Sequence, residues 1–510
     1  MAKPVVINRF DGGIAEDIRT TATNQCADST NFDIFSNPHK LIHLRDMLAE
    51  EDGSQTIANT KISEVGQTVI STTQYMVALG ENYPTDTKPA FYTRTANDLN
   101  GSWSAQAVGV AGYNVVHGSY IQYNNVSYCL GSVYSGSYTI NLQQYTTAGT
   151  LTAIDTVSYT LPSGVISLPE IPKPFVHPKD NRMYLGVGNS MSQWNGSGSF
   201  VDYNSLLPSG YAMNGITNFG DDLVIAMSPN VGTGDSLLCI WDRNPAHDTY
   251  LSQVINCGQG RIDAVDNLDG NIVVVMSPSN TNLVVNNTLT IKMWNGGEVQ
   301  TIPGLTDLTT YSNGKIVKVR KDNKLYFVRY GDIAVYCFGK NKQGRYVITH
   351  ANLVNTGSTA TSDKVATIYG LSFVGDCLYV GFTAQDNTYR LMATDFDGSI
   401  ASINPAVYTT TINPSMPSSD RDEMKKLVGV QVLFKDGGGT CTLEYAVDST
   451  TFVTIDSADM TNLNIIEASA QNDSSPFKDG REFQFRITTT WGTDIIGIRY
   501  KYEIVKGLTS

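Results

Sequence analysis

The sequence predicts an all-β chain, with a β-propeller of about seven blades followed by a C-terminal β-sandwich. One observation is a short apolar strand that recurs seven times, beginning at Tyr75, Val126, Met183, Leu223, Ile272, Leu325 and Leu378. A second is the spacing of these copies, which is 51, 57, 40, 49, 53 and 53 residues. A third is that helical periodicity is nearly absent. Strands repeated at such a period are typical of a radially arranged β fold.

The recurrent strands are apolar on both faces. Leu378, Val380 and Phe382 point one way, and Tyr379 points the other. A sheet with one face in water alternates apolar with polar residues. Sheets that stack face to face around a ring bury both faces, so this pattern favours a propeller.

A second strand follows each copy and often ends in an aromatic residue. The clearest examples end at Trp194, Trp241, Trp294 and Phe338. Turn residues come next, such as Asn195-Gly196, which readily adopt the positive φ of a tight hairpin. A third strand can follow, so each repeat is predicted to be a small antiparallel meander. The recurrent tryptophans are interpreted as packing between blades, although a ligand cage is the alternative.

Three regions are predicted along the chain: an N-terminal lead-in or assembly segment at 1–70, the propeller at 71–398 and the sandwich at 399–510. The last region contains long strands with one polar face, as in Arg481–Ile487, where Phe483, Phe485 and Ile487 share a side. Such alternation is typical of a sheet with one wet face. One short helical turn is predicted at Asp420–Lys426.

Composition limits the function classes. The 510 residues carry a net charge of −13, which argues against a general nucleic-acid-binding surface. The short basic stretch at Glu423–Lys426 is predicted to be a solvated face. No apolar run reaches membrane-spanning length, and the first residues lack a secretory signal, so we expect a protein made in a cytosol without membrane insertion. The seven scattered cysteines are expected to be reduced and buried.

Known catalytic motifs are missing from the sequence. No nucleophile elbow, phosphate loop or His-Glu-x-x-His motif occurs. His39 and His43 are four residues apart, but Pro38 precedes them and a metal-binding helix face is not expected there. The acidic turns at Asp266–Gly270 and Asp395–Gly398 lack the full ligand set of a calcium loop. We therefore predict no catalytic residue, no metal site and no cofactor, and we expect that the chain is not an enzyme.

Two segments carry a resemblance to virion proteins of tailed bacteriophages. The opening contains Phe10-Asp11-Gly12-Gly13 and then Asn31-Phe32-Asp33, and such proteins often begin with a Phe-x-Gly-Gly turn shortly before an Asn-Phe-Asp segment. The C-terminal strands at 483–487 and 496–502 are similar to small β-sandwich modules of phage tails. The order of lead-in, propeller and sandwich resembles the tail nozzle proteins of short-tailed phages.

That resemblance implies a structural protein in the tail of the virion, assembled in the host cytoplasm. It would form a ring of copies of itself, contact other tail or portal-vertex proteins and line the channel for DNA ejection. DNA would pass without specific binding, because an acidic bore repels its backbone. Two alternatives stay open: a receptor or decoration protein that binds a host-surface glycan, and a glycan-active propeller enzyme.

Overall fold

A computed structural model describes the strands of the chain and many of the turns between them. It describes residues 3–7, 26–30, 32–33, 42–43, 49–50, 60–70, 72–82, 89–95, 103–106, 119–124, 126–134, 138–147, 150–159, 173–230, 234–277, 287–302, 308–310, 316–328, 334–341, 344–352, 365–375, 377–387, 389–394, 408–412, 423–448, 451–469 and 477–505. The regular structure in these ranges is strand, apart from the 3-10 helix Pro245–His247. The predicted all-β class is confirmed. No helix in these ranges could cross a bilayer.

The chain divides into two compact units. The larger unit comprises residues 48–333 and 360–399, and the smaller unit comprises residues 1–47, 334–359 and 400–510. The first strands along the chain are β1 (Lys3–Ile7), β2 (Cys26–Thr30), β3 (Phe32–Asp33), β4 (Ile42–His43) and β5 (Ala49–Glu50). Strands β1 to β4 belong to the smaller unit, and β5 belongs to the larger one. The turn at Phe10–Gly13 lies outside the described residues.

The larger unit consists of antiparallel sheets that follow one another along the chain. Sheet A contains β6 (Thr60–Ile70), β7 (Thr73–Asn82), β8 (Pro89–Thr95) and β9 (Ser104–Gln106). Sheet B contains β10 (Ser119–Tyr123), β11 (Val126–Tyr134), β12 (Tyr138–Thr147) and β13 (Thr150–Tyr159). Sheet C contains β14 (Phe175–Val176), β15 (Met183–Val187), β16 (Ser190–Trp194) and β17 (Val201–Tyr203).

The next sheets repeat this order. Sheet D contains β18 (Tyr211–Phe219), β19 (Asp222–Pro229), β20 (Asp235–Trp241) and β21 (Gln253–Gln259). Sheet E contains β22 (Arg261–Leu268), β23 (Asn271–Ser277), β24 (Asn287–Trp294) and β25 (Val299–Thr301), with β26 (Leu308–Thr310) also paired to β24. A hairpin follows, made of β27 (Val317–Lys321) and β28 (Lys324–Val328).

The chain then forms β29 (Ala334–Lys340) and β30 (Tyr346–Asn352) in the smaller unit and returns to the larger one. Sheet F contains β31 (Val365–Val374), β32 (Cys377–Ala384) and β33 (Tyr389–Thr394), and β5 is its fourth strand. A residue pair from the start of the chain, Ala49 and Glu50, therefore completes a sheet formed more than 300 residues later.

Every recurrent apolar strand is the second strand of its sheet or, at Leu325, of the β27–β28 hairpin. Strand β19 is buried from Leu223 to Ser228, and β23 is buried from Ile272 to Met276. The prediction that both faces of these strands are covered is confirmed. The first strands of sheets A, D and E mix polar with apolar residues, so the sequence did not reveal them.

Neighbouring sheets of the larger unit pack against each other in chain order. Apolar cores join B to C, C to D and D to E. Tyr326 of the hairpin contacts Phe373 of sheet F, with ring centroids 4.9 Å apart. Sheet F returns to sheet A, where the Val65 N–H donates to Ser372 Oγ at 2.9 Å. Sheets packed in this cyclic order form a β-propeller architecture.

Glycines permit the close contact between sheets F and A. A Cβ added at Gly381 would clash with the carbonyl oxygen of Ile62 on β6, and one at Gly370 would also meet that oxygen. Arg94 of sheet A donates to the Tyr379 hydroxyl of sheet F at 3.5 Å. The first and last sheets thus meet through backbone contact, which larger side chains would prevent.

The smaller unit contains the C-terminal strands. These are β34 (Tyr408–Ile412), β35 (Lys425–Phe434), β36 (Thr440–Val447), β37 (Val453–Asp459), β38 (Ile465–Ser469), β39 (Asp479–Gly480), β40 (Phe483–Thr489) and β41 (Ile495–Ile504). One sheet has the order β1-β41-β35-β38, with β39 also paired to β35. The other includes β29-β30-β2-β34-β40-β36-β37. Phe485 and Tyr500 bring the two sheets together, with ring centroids 5.6 Å apart.

The start of β35 corrects two sequence predictions. Lys425 and Lys426 are the first residues of a strand, so the helical turn predicted at Asp420–Lys426 is wrong there, and residues 420–422 lie outside the described ranges. The solvated face predicted for Glu423–Lys426 holds for Glu423, Met424 and Lys426, which are exposed, but not for Lys425. The Lys425 side chain is fully buried, and its Nζ donates to the carbonyl oxygens of Glu423 and Arg481, both at 2.8 Å.

Candidate functional site

A tryptophan ends the third strand of sheets C, D and E. Trp194, Trp241 and Trp294 are each at most 2% exposed. Each indole N–H donates to a carbonyl in the loop that follows, and the acceptors are Gly198, His247 and Gly297 at 2.8–3.0 Å. A buried indole needs such an acceptor. The same residue therefore fixes the same loop in three consecutive sheets.

The tryptophan rings also contact the preceding sheet. Trp194 lies 5.3 Å from Tyr128 of sheet B, and Trp294 lies 4.5 Å from Phe219 of sheet D, measured between ring centroids. Trp241 packs on Tyr203 of sheet C at 4.7 Å. The interpretation of these residues as packing between blades is confirmed, and they are not open to a ligand.

A common turn follows each tryptophan. The side-chain oxygen of Asn195, Asp242 or Asn295 accepts a hydrogen bond from the backbone N–H two residues later. The residue between has a left-handed backbone, with φ of +95° at Gly196 and +98° at Gly296. Glycine takes this conformation at no steric cost, which explains the Asn-Gly pairs.

Sheet D departs from this pattern with two charged residues. Asp242 replaces the asparagine, and Arg243, with φ of +61°, replaces the glycine. A non-glycine residue in this conformation is unusual and is often found at functional sites. The turn that follows Trp241 is therefore the candidate functional site of the described structure.

Arg243 is held by a turn of the neighbouring sheet C and by a turn of its own sheet D. Its Nη1 donates to Oδ2 of Asp180, and its Nε donates to the backbone carbonyl of Asp221 at 2.6 Å. The Arg243 side chain is only 9% exposed. The Tyr184 hydroxyl donates to the same Asp180 oxygen at 2.9 Å. This network of charged hydrogen bonds offsets the backbone strain at Arg243.

Asp180 lies in the turn between β14 and β15, beside a buried histidine. His177 is fully buried, and its Nδ1 accepts the Lys179 N–H at 3.2 Å. Its Nε2 has no hydrogen-bond partner. The turn closes through the Asn181 N–H, which donates to the His177 carbonyl at 2.9 Å. The His177 ring packs edge-on against Phe175 and Tyr184, with ring centroids 6.1 and 6.5 Å away, and its burial favours the neutral imidazole.

The network shifts the pKa of three groups. Burial tends to raise the pKa of Asp180, but hydrogen bonds from Tyr184, the Arg182 N–H and Arg243 outweigh it and hold that pKa below its usual range. Burial and the hydrogen bond to Asp180 raise the pKa of Tyr184. Burial, with the positive charge of Arg243, lowers the pKa of His177. At neutral pH the site contains an ionised Asp180 and an uncharged His177.

The loop that follows Trp241 is longer than its counterparts. It spans residues 242–252, whereas the equivalent loops span 195–200 in sheet C and 295–298 in sheet E. The extra residues contain the 3-10 helix, in which Asn244 Oδ1 accepts the Ala246 N–H at 3.0 Å. His247 Nδ1 lies 2.7 Å from Asp242 Oδ2. Tyr250 contacts the His247 ring edge-on at 5.9 Å and is 62% exposed.

Within the described structure, acidic side chains on the first strands of sheets A and E have basic partners. Glu64 contacts Lys173 at 3.0 Å, Asp263 contacts Arg261 at 2.6 Å, and Asp266 contacts Lys318 at 2.8 Å, the last from the adjacent hairpin. In the last pair, Lys318 Nζ also donates to the Val265 carbonyl, so Lys318 contacts both a side chain and the backbone of β22.

The candidate calcium turns gain no support. The carboxylate of Asp266, the first residue of one turn, accepts a hydrogen bond from Lys318. The other turn, Asp395–Gly398, lies outside the described residues. His39 is also outside them, and His43 is placed only as part of β4. Among the residues that the structure describes, no group of three or more His, Cys, Asp or Glu side chains could hold a metal ion.

The described cysteines include several thiols buried in strands. Cys239, Cys257 and Cys441 are free and buried, and burial is the main reason that their pKa values rise to about 12, 11 and 12. Thiols of this kind are protonated at neutral pH and are poor nucleophiles. They therefore do not form a candidate catalytic site.

No protein-family model matches the chain. No curated protein matches it either. Among solved structures it is similar to the WD40 domain of coronin from Toxoplasma gondii, with 9% identity and a TM-score of 0.44 over 74% of this chain and 92% of that one. It is also similar to an α-L-arabinanase from Penicillium chrysogenum, with 11% identity and a TM-score of 0.37 over 71% and 100%. A third is an exo-β-1,3-galactanase from Phanerochaete chrysosporium, with 14% identity and a TM-score of 0.34 over 89% and 100%.

These similarities correct the expectation that the chain is not an enzyme. Two of the three structures are glycoside hydrolases, and an α-L-arabinofuranosidase from Fusarium graminearum is a further one. Catalytic groups of such folds come from separate loops, so the missing linear motifs do not exclude activity. At these identities and TM-scores, the likeness assigns neither an active site nor a substrate to this chain.

Proposed function

We propose that this chain is a structural component of a tailed-bacteriophage virion and forms an oligomeric tail ring similar to a nozzle. One observation carries the proposal. The lead-in and the C-terminal strands, which both carry the resemblance to virion proteins, are hydrogen-bonded neighbours. Strand β1 pairs along its whole length with β41, so that Lys3 faces Tyr502 and Ile7 faces Ile498.

Further strands of the same region extend this contact. Strand β2 pairs with β34, and β34 pairs with β40, which contains the Phe483–Ile487 segment of the resemblance. The N-terminal and C-terminal strands therefore share both sheets of the smaller unit. A body whose two chain ends are paired by antiparallel ladders resists separation of those ends, because several hydrogen bonds must break together. That property suits a part of the virion that experiences force during DNA ejection.

The proposed architecture of the units follows the repeats. We propose that sheets A to F, together with the blade begun by the β27–β28 hairpin, are seven blades, and that the C-terminal strands form a β-sandwich. The cyclic packing of the larger unit supports the first part. The contact of Phe485 with Tyr500 between two sheets supports the second.

The proposed ring assembles in the host cytoplasm from several copies of the chain and joins other tail or portal-vertex proteins. Identical subunits close a ring through repeated heterologous contacts. The net charge of −13 supports a channel from which DNA is repelled rather than bound. The specific partners would be recognised by loops, which differ from blade to blade.

Electron microscopy of the purified full-length chain, combined with native mass spectrometry, tests this proposal. We expect closed rings whose mass is a fixed multiple of the 55.5 kDa chain. A hydrolase assay on arabinan and β-1,3-galactan is run on the same sample. A monomer at every concentration would contradict the tail-ring proposal, and turnover of either polysaccharide by that monomer would replace it with an enzyme.

A further inference from the structure

We propose that the long loop of sheet D is a binding site for a neutral saccharide, in which Tyr250 is the stacking surface and the Asp242–His247 pair binds hydroxyl groups. This inference is independent of the tail-ring proposal. It begins from the repeat: sheets C and E join their third and fourth strands with loops at 195–200 and 295–298, so the fold does not require the longer loop at 242–252. Insertions in one repeat usually serve binding.

The loop presents an aromatic ring to solvent. Tyr250 is 62% exposed, although the buried tryptophans of the same repeats show that aromatic residues here normally pack inside. The C–H groups on one face of a pyranose ring pack well on a phenol ring, because both surfaces are weakly polar and flat. An exposed tyrosine also loses little side-chain entropy on binding.

Polar groups of the right kind lie beside this ring. The His247 ring contacts the Tyr250 ring at 5.9 Å, and its Nδ1 lies 2.7 Å from Asp242 Oδ2. Both polar side chains remain accessible, with 43% of His247 and 37% of Asp242 exposed. Sugar hydroxyls donate to carboxylate oxygens, and because His247 Nδ1 is directed at Asp242, the ring atom left to pair with a second hydroxyl is Nε2, so the pair can bind adjacent hydroxyls.

The charge of the loop selects among saccharides. Hydrogen bonds from the Asn244 N–H and His247 outweigh burial and lower the pKa of Asp242, so it is ionised at neutral pH. Asp248 adds a second exposed carboxylate. Sialylated, sulfated or uronic sugars would be repelled by these charges, whereas a neutral hexose or N-acetylhexosamine would not.

Hydrogen bonds order the loop in the absence of a ligand. The Trp241 indole donates to the His247 carbonyl at 3.0 Å, and the His247 N–H donates to the Asn244 carbonyl at 2.8 Å. At its base, Arg243 is fixed by Asp180. A site that is already ordered avoids the entropy cost of ordering on binding, which matters for a weak, shallow saccharide contact.

A panel of immobilised neutral oligosaccharides of glucose, galactose, mannose and N-acetylhexosamine, with sialylated members for comparison, tests the proposal on the full-length chain. Saturation-transfer NMR with the free methyl glycosides detects millimolar binding. We expect binding to neutral members, lost at least tenfold in Tyr250→Ala and retained in Tyr250→Phe. The control Val254→Ala changes an exposed residue of the neighbouring strand and leaves binding unchanged.

Three results would overturn this inference: no binding of the unmodified chain in either measurement, binding that Tyr250→Ala leaves intact, or preference for the sialylated members. Thermal melting accompanies each variant, because an exposed Tyr250 is not needed for folding and its loss should leave the melting temperature unchanged. If Tyr250→Ala instead alters the mass of the assembled particle without affecting glycan binding, the loop is a protein contact and the saccharide site is rejected.

Discussion

Arg243 of sheet D donates to the Asp180 carboxylate of sheet C from a left-handed backbone position that is glycine in both neighbouring sheets. The ion pair is 9% exposed at the arginine and 21% exposed at the aspartate. Arg243 thus strains the backbone of a turn that is relaxed with glycine, and its side chain links sheets C and D. Substitutions at position 243 can separate the backbone strain from the attraction to Asp180.

Arg243→Ala should be less stable than Arg243→Gly. Both changes remove the ion pair, but alanine keeps the left-handed strain, which costs about 1 kcal/mol that glycine avoids. Urea unfolding measures the difference. At Val254, an exposed strand residue, the order should reverse, since glycine weakens a strand. If the glycine variant of Arg243 is the less stable one, the account of this turn is wrong.

A double-mutant cycle measures the ion pair itself. Asp180→Asn and Arg243→Gly, alone and combined, should couple by more than about 0.5 kcal/mol, because the two side chains share a partly buried hydrogen bond. Additive effects would show that the pair contributes nothing beyond its separate members.

His177 should make the protein less stable in mild acid. Its folded pKa is lowered by burial and by Arg243, so the unfolded chain takes up the proton first, and stability falls as the pH drops below 6.5 toward the folded pKa. Asp180 also has a lowered pKa, but its contribution is lost only below 3.8. Asp222, whose pKa is raised mainly by burial, acts in the opposite direction in acid.

Unfolding free energies of the parent and of His177→Asn, measured from pH 7.5 to 5, test this sign. Asparagine can still accept the Lys179 N–H but does not titrate. The difference between the two proteins should shrink as the pH falls. A difference that is constant across this range would mean that His177 is not buried in its neutral form.

Gly381→Ala should weaken the contact between the first and last sheets. The added methyl group meets the Ile62 carbonyl, and overpacking of this kind costs about 1–3 kcal/mol. Hydrogen exchange should show faster opening of β6 and β32. Gly297→Ala is the matched control, because its Cβ would have only an ordinary contact with Asn295, and its effect should stay within about 0.5 kcal/mol. Equal effects of the two changes would contradict the close backbone contact between sheets F and A.

Lys425→Met should destabilise the smaller unit, whereas Lys426→Met should not. Methionine fits the space but leaves the carbonyls of Glu423 and Arg481 without their buried donor, at a cost of about 1–3 kcal/mol. Lys426, the next residue, is exposed and is the natural control. Chemical denaturation of both variants decides whether the buried ammonium matters.

Much of the fold could be predicted, because its signals are local. The second strands are uninterrupted apolar runs, so Leu223 and Ile272 mark them directly. The strand predicted at Arg481–Ile487 overlaps β40 (Phe483–Thr489), since its alternation of apolar and polar residues is a local pattern. Turns with Asn-Gly were also visible, because their chemistry depends on two adjacent residues.

The rest depends on contacts between distant parts of the chain. Strand β5 has two residues and finds its place only through Met392 and Ala393 of sheet F. The pairing of β1 with β41 joins the two ends of the sequence, and no local pattern reports it. The candidate site was missed for the same reason: Arg243 does not signal a left-handed turn, and its partner Asp180 lies in another sheet. The unusual length of the 242–252 loop, compared between repeats, could have revealed it.

A cryo-electron density map of the purified full-length chain tests the central claim most directly. We expect seven wedge-shaped sheets around one axis, with the recurrent apolar strand second from the axis in each and Ala49–Glu50 as the outermost strand of the last. Six or eight wedges, or the same strands joined into one continuous layer, would contradict the account.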